Sequence, residues 1–318
     1  MMTREEKLLL NINKEGIGIE VGPSHAPIAP KRSGYNVRVI DHASREDLKE
    51  KFKDENVNLE NIEEVDFVWT GESYAELTGK THYYDWIIAS HVIEHTPNLI
   101  GFINSCDAIL NDTGVLSLAV PDVRFCFDHF RPISGLSSVM DAHFENRTIN
   151  TTGSIAEFKL NHVMKDGYPG WGENVFVKEE YTFPFSKERV LEILEQSRNS
   201  KEYIDCHAWC FTPHSFRLLI HDLYELGFIR MKEIAFFPSV GCEFFIALGR
   251  NGQGSGLSRL EMLQAVNLEI LNGNDPNILF RNGVARILEK MYYKFRNLGG
   301  RKKRQVQNAA SRLLAFGK

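Results

Sequence analysis

The stretch from Ile17 to His42, IGIEVGPSHAPIAPKRSGYNVRVIDH, constrains the fold more than any other part of the chain. Two short apolar runs, 18–21 and 37–40, are long enough for buried strands, and Gly22 breaks the first while Asp41 closes the second. The pattern predicts strand, glycine-bearing turn, helix, second strand. In an open parallel sheet these two strand ends are where a nucleoside-bearing cofactor sits, because backbone approaches the ligand at a glycine and a carboxylate meets ribose hydroxyls.

The same alternation continues downstream. Ser44 and Asp47 open a predicted helix, Val65–Trp69 reads as a third strand, and Asp85–Ser90 as a buried central one. Pro97 precedes apolar positions at helical spacing from Leu99 to Leu110, and Val115–Val120 reads as a fifth strand closed by Pro121 and Asp122. Strands alternating with helices predict a doubly wound α/β sheet. From about residue 123 to 205 the alternation lapses into aromatics, glycines and polar turns, with one helical patch at 186–196. An insertion of that length at a strand's carboxyl end is expected to act as a lid. Thr212, Pro213 and Gly227 bracket a further helix, and two strand-like runs, 229–237 and 243–248, read as a closing hairpin.

Asn251–Gly256 is a flexible joint, so the expected division is a cofactor-binding domain over 1–250 and a helical basic appendage over 251–318. Helical patches are predicted there at 257–271, 282–298 and 301–316. The chain carries a formal net charge of -5, yet residues 281–318 hold eleven Lys or Arg against the single acid Glu289. That tail suits an anionic membrane surface or an acidic partner in a complex; nucleic acid is not the expected partner, and oligomeric state is not readable. The five cysteines form no disulfide framework, and no secretory or membrane-spanning pattern is visible, so a soluble cytoplasmic protein, in peripheral contact with the membrane through its tail, is the expectation.

The first turn argues about which cofactor. It carries one glycine of the G-x-G-x-x-G fingerprint, and Pro23 and Pro27 remove backbone donors that a pyrophosphate would use. A phosphate-free cofactor tolerates that loss. Here GIEVGPSHAP followed by VID, and YDWIIASHVIEHTPNLIGFINSCDAILNDTGVLSLAVPD, resemble the class I, Rossmann-like S-adenosylmethionine-dependent methyltransferases; DCHAWCFTPHSFRLLIHDLYELGF is similar to the family's late helix. The resemblance implies a mostly parallel seven-stranded sheet with an antiparallel last strand, and S-adenosyl-L-methionine as cofactor. It places Glu20 and Gly22 along the methionine part, Asp41 on the ribose, Glu72 and Ser73 near adenine, and Ser90 and His91 beside the path of methyl transfer. Pro23 and Ser24 are further cofactor-binding candidates in the same turn, where the chain departs from the family because Pro23, His25 and Pro27 replace the usual small residues.

A hydroxyl acceptor needs a general base, and the candidates are His91, Asp122, His129, His143 and His207. Trp171, Tyr168 and Phe183 in the insertion suit the apolar face of a sugar ring. The expected reaction is therefore O-methylation of a saccharide or glycan intermediate, with methylation of a small metabolite, or a degenerate cofactor-binding scaffold with a partner-binding or nucleic-acid-binding tail, as alternatives. No metal is expected. His91 and His95 stand at helical spacing, but H-V-I-E-H lacks the Glu that directly follows the first His in zinc helices. Cys206, His207, Cys210 and His214 lack a second pair at zinc spacing.

Overall fold

The computed structural model describes residues 2–172, 181–199 and 202–271. The chain divides into two compact units, 1–267 and 268–318, and of the second only the end of one helix lies among the described residues. The predicted helical patches at 282–298 and 301–316, and the basic tail, fall outside them. Among the described residues no helix is long and apolar enough to cross a membrane.

The first helix, α1 (Arg4–Leu9), is held by a capping box in which Thr3 and Glu6 satisfy each other's backbone amides. Next come β1 (Gly18–Val21) and β2 (Val37–Asp41), then α2 (Arg45–Phe52), whose cap is Ser44, then β3 (Phe67–Val68) and α3 (Tyr74–Thr78). β4 (Tyr84–Ser90), α4 (Leu99–Ile109) and β5 (Leu110–Pro121) complete the parallel part of the sheet. In the insertion lie α5 (Leu136–Phe144), α6 (Thr152–Asn161), a short hairpin of β6 (Met164–Lys165) and β7 (Tyr181–Thr182), and α7 (Lys187–Asn199). α8 (Pro213–Glu225), β8 (Lys232–Val240), β9 (Glu243–Gly249) and α9 (Arg259–Leu271) follow.

Seven strands form one sheet in the order β3, β2, β1, β4, β5, β9, β8. β1 to β5 pair in parallel, whereas β9 runs antiparallel to both β5 and β8. The expected hairpin thus inserts its second strand beside β5. β1 and β4 lie at the centre and are buried on both faces, which explains their almost uninterrupted apolar sequences. One face of the sheet packs with α4 and α8 around Ile87, Ile103, Phe216 and Leu219; the other holds Leu8, Ile28, Trp86 and Phe245.

One expected element is absent. Between β1 and β2 the chain forms only a 3-10 turn at Lys31–Ser33 in place of a helix. Pro23, Pro27 and Pro30 cannot donate, and each biases the residue before it away from helical dihedrals. The amides of Ile28 and Ala29 are satisfied by the Glu20 carboxylate, at 2.6 and 3.1 Å, rather than by a helical ladder.

Candidate active site

Parallel strands bring the carboxyl ends of β1, β2 and β4 to one edge, so Gly22, Asp41 and Ser90 open toward the same region. Gly22 adopts φ +61°, and a Cβ there would stand 3.0 Å from Val92 Cγ2, so the turn needs glycine for both conformation and space. Ser24 also takes a positive φ of 48°, and a turn closes with Ala26 N donating to Pro23 O at 3.0 Å.

Glu20 is only 2% exposed, and its two oxygens tie the far end of this loop to β1. The carboxylate is therefore a clamp on the loop that would wrap a ligand. Burial raises its pKa to about 7 despite the two backbone hydrogen bonds that oppose the shift. The folded protein then holds a proton that the unfolded chain releases above its ordinary value of 4.5, so stability is greatest below that value and falls as pH rises through 7. Urea unfolding at pH 5 and pH 8 should show the wild type losing about 1–3 kcal/mol more than Glu20→Gln across this window. Equal losses would remove the buried carboxyl as the cause.

Asp41 is 4% exposed at the end of β2. Its Oδ1 accepts from His42 N at 2.7 Å and pairs with the His42 ring, while Oδ2 has a long contact of 3.4 Å from Ser24 N. Oδ2 thus retains accepting capacity for a diol. Glu72 and Ser73 follow β3 as expected, but their polar groups are engaged locally: Glu72 accepts from Thr70, and Ser73 caps α3 in a capping box with Glu76.

At the end of β4, distant parts of the chain converge. Arg4 Nη2 donates to Ser90 Oγ at 2.5 Å, and Arg4 Nε donates to Glu243 Oε1 at 2.7 Å. Glu243 Oε2 also pairs with His91 Nε2 at 2.7 Å. Burial disfavours a charged His91, but Glu243 and Glu94 outweigh it and raise the ring's pKa. Burial likewise pushes Glu243 upward, and the hydrogen bonds from His91 and Arg4 more than reverse it. Neither Arg4 nor Glu243 carries a sequence signal, because their meeting depends on β9 entering the sheet beside β5.

The other candidate bases are dispersed. Asp122 is fully buried; Oδ1 accepts from Arg124 Nε at 2.9 Å, and Oδ2 accepts from Arg124 Nη2 and Ser239 Oγ, each at 2.5 Å. His143 packs its ring against Phe144 and Phe228, away from the strand ends. His129 Nδ1 donates to Arg124 O at 2.8 Å, and its ring stacks on Tyr181 beside Trp171 and Phe130. His207 is buried with Nδ1 2.5 Å from Asp128 Oδ2, and Asp128 also accepts from Arg131 at 2.8 Å. Burial would raise Asp128, but His207 and Arg131 hold it below the ordinary carboxylate range. Asp85 is structural: it accepts from Ile17 N at 2.8 Å and Asn111 Nδ2 at 3.1 Å.

The H-V-I-E-H segment is not an α-helix. Ile93–His95 is a 3-10 turn, so His91 and His95 do not share a helical face; His91 turns to Glu243 and His95 to Asp205, at 2.8 Å.

Five parallel strands, a reversed sheet order about β1 and β4, and an antiparallel strand inserted next to β5 decide the architecture. The fold is that of the Rossmann-like methyltransferases. No family profile and no curated protein sequence matches the chain. Similar solved structures include the CcbJ methyltransferase from Streptomyces caelestis, 10% identical over 77% of this chain and 88% of that one, with a TM-score of 0.39. A protein from Rhodobacter sphaeroides, provisionally described as a zinc-dependent alcohol dehydrogenase, is 13% identical over 78% of this chain and 88% of its own, also with a TM-score of 0.39. The CalH trans-methyltransferase in complex with SAH is 19% identical over 33% of this chain and 32% of its own, with a TM-score of 0.24.

Proposed function

We propose that the protein is an S-adenosylmethionine-dependent methyltransferase that methylates a hydroxyl of a saccharide or similar polyol. The observation that carries this reading is the pairing of Asp41, with an oxygen to spare at the end of β2, and a phosphate-unfriendly turn after β1 clamped by Glu20. A carboxylate accepts from both hydroxyls of a ribose, and the turn offers φ-positive backbone without the consecutive amides a pyrophosphate needs. The residues present therefore fit adenosine joined to an uncharged or cationic group better than a dinucleotide.

When bound, S-adenosylmethionine supplies an electrophilic methyl group. The chain's part is alignment, exclusion of water and removal of the acceptor's proton. Ser90 and His91 stand beside the cofactor edge, held by Arg4 and Glu243. With Nε2 donating to Glu243, His91 presents Nδ1 as a proton acceptor, and we assign it the role of general base. Among the candidates only His91 and Asp122 follow interior parallel strands at that edge, and Asp122 is fully buried with both oxygens taken by Arg124 and Ser239. Exposed Phe130, Tyr168 and Phe183 in the insertion offer flat apolar surface of the kind that packs on a sugar ring.

Calorimetry on the full chain tests the cofactor. S-adenosylmethionine and its demethylated product should each bind with one site per chain, and NAD should not bind. Absence of binding to either removes the reading. Incubation of the protein and cofactor with a saccharide-enriched cell extract should yield a product heavier by one methylene, and His91→Gln should abolish its formation while leaving cofactor affinity within about threefold. Loss of cofactor affinity in that variant would transfer His91 from the base role to cofactor binding.

A further inference from the structure

Beyond the end of β4, the turn containing Glu94 packs against the segment that leads into α8. Glu94 O accepts from Ala208 N at 2.7 Å and Trp209 N at 3.3 Å, which fixes Glu94 and His95 against His207. One donor atom from each of Glu94, His95 and His207 lies within 4.8 Å of the other two. The His95 and His207 rings meet edge to face with centroids 4.6 Å apart.

Glu94 is only 1% exposed, and among the described residues neither carboxylate oxygen has a hydrogen-bond partner. The nearest cationic candidate outside the cluster, His91, keeps its Nδ1 3.7 Å from Glu94 Oε1 and spends Nε2 on Glu243. A buried carboxylate left without hydrogen bonds is costly unless something charged completes it. Both histidines of the cluster are themselves oriented by carboxylates through Nδ1, His95 by Asp205 and His207 by Asp128. That arrangement fixes the tautomer and leaves Nε2 to ligate, as outer carboxylates do around metal-bound imidazole.

We propose that Glu94, His95 and His207 bind a divalent transition-metal ion, with Asp205 and Asp128 as the residues that orient the two rings. Two imidazoles and one carboxylate suit zinc, cobalt, iron or manganese and disfavour calcium and magnesium, which prefer all-oxygen sets. Bonds of about 2.1 Å place ligand atoms roughly 3–3.5 Å apart, so binding draws the three side chains together by about 1 Å. The two backbone hydrogen bonds at Glu94 O keep that contraction within side-chain rotation. Neither histidine spacing nor cysteine spacing announces such a site, because two ligands are adjacent in sequence and the third arrives from the far side of the insertion.

The test uses the full chain treated with chelator and dialysed, with Co2+ and Zn2+ as probes and no cofactor present, so it stands apart from methyl transfer. Co2+ titration should give a visible ligand-field band saturating at one equivalent, and Zn2+ should displace it. Glu94→Gln should weaken Zn2+ affinity at least a hundredfold, and Asp205→Asn, which touches no metal, about tenfold. Circular dichroism and thermal melting verify that each variant folds. His95→Asn, at a part-exposed position, serves as the ligand variant should the buried changes unfold the chain. No saturable Co2+ or Zn2+ binding by the wild type, or wild-type affinity in Glu94→Gln or His95→Asn, would overturn the proposal.

Discussion

Asp41→Ala should weaken S-adenosylmethionine binding about a thousandfold while leaving the fold intact. Two hydrogen bonds from ribose hydroxyls to a carboxylate contribute on the order of 1.5–3 kcal/mol each, and a loss of about 4 kcal/mol corresponds to three decades in Kd. The structural cost is small, because the contacts Asp41 makes are local: its own neighbour His42 and the long approach of Ser24 N. Asp41→Asn should fall between the two, since an amide keeps one accepting oxygen but presents a donor to the second hydroxyl. Calorimetry of the three proteins at one pH separates the cases. An alanine variant that binds within tenfold of the wild type would show that the ribose does not lie at the end of β2. The demethylated product should lose affinity by the same factor, because it shares the ribose; an effect confined to one of the two would place Asp41 near the sulfur instead.

What is legible in the sequence is whatever is local along the chain. Gly22 and Asp41 announce strand ends because a positive φ and a carboxylate after an apolar run are local demands. Asp85–Ser90 reads as a central strand because burial on both faces leaves no room for polar alternation. The helix expected between β1 and β2 fails to form for an equally physical reason. The apolar pair Ile28 and Ala29 serves burial rather than a helical face, while Glu20, eight residues upstream of Ile28, takes over their amides. Arg4, Glu243, Asp128 and Asp205 carry no signal at all. Each owes its place to a partner far along the chain, and charged residues with no periodicity look like solvated surface until topology brings them together. Of the five candidate bases, chemistry selects the residue types, but only the sheet edge separates His91 from His143, whose ring is spent on packing with Phe144 and Phe228.

Gly18→Ala should be the most damaging of the small substitutions, destabilising the protein by about 2–4 kcal/mol in urea unfolding. Gly18 opens β1 and sits in register with Trp86 on β4. A Cβ added at Gly18 would lie 2.1 Å from Trp86 Cδ2 and Cε2, closer than any real contact, so the indole must move. It has little freedom to do so. Trp86 is fully buried among Leu8, Ile28, Ala29 and Phe245, with Tyr35 edge-on at 6.5 Å. Close packing turns one added methyl into displacement of neighbours on three elements. The cause can be separated from a general intolerance of β1 by a double-mutant cycle with Trp86→Phe, which shortens the ring system that the methyl would strike. The double variant should be more stable than the sum of the single losses predicts, by about 1 kcal/mol or more, because the smaller ring relieves the clash. Additive losses would mean that glycine is required at position 18 for its backbone and not for the space its missing side chain leaves to Trp86.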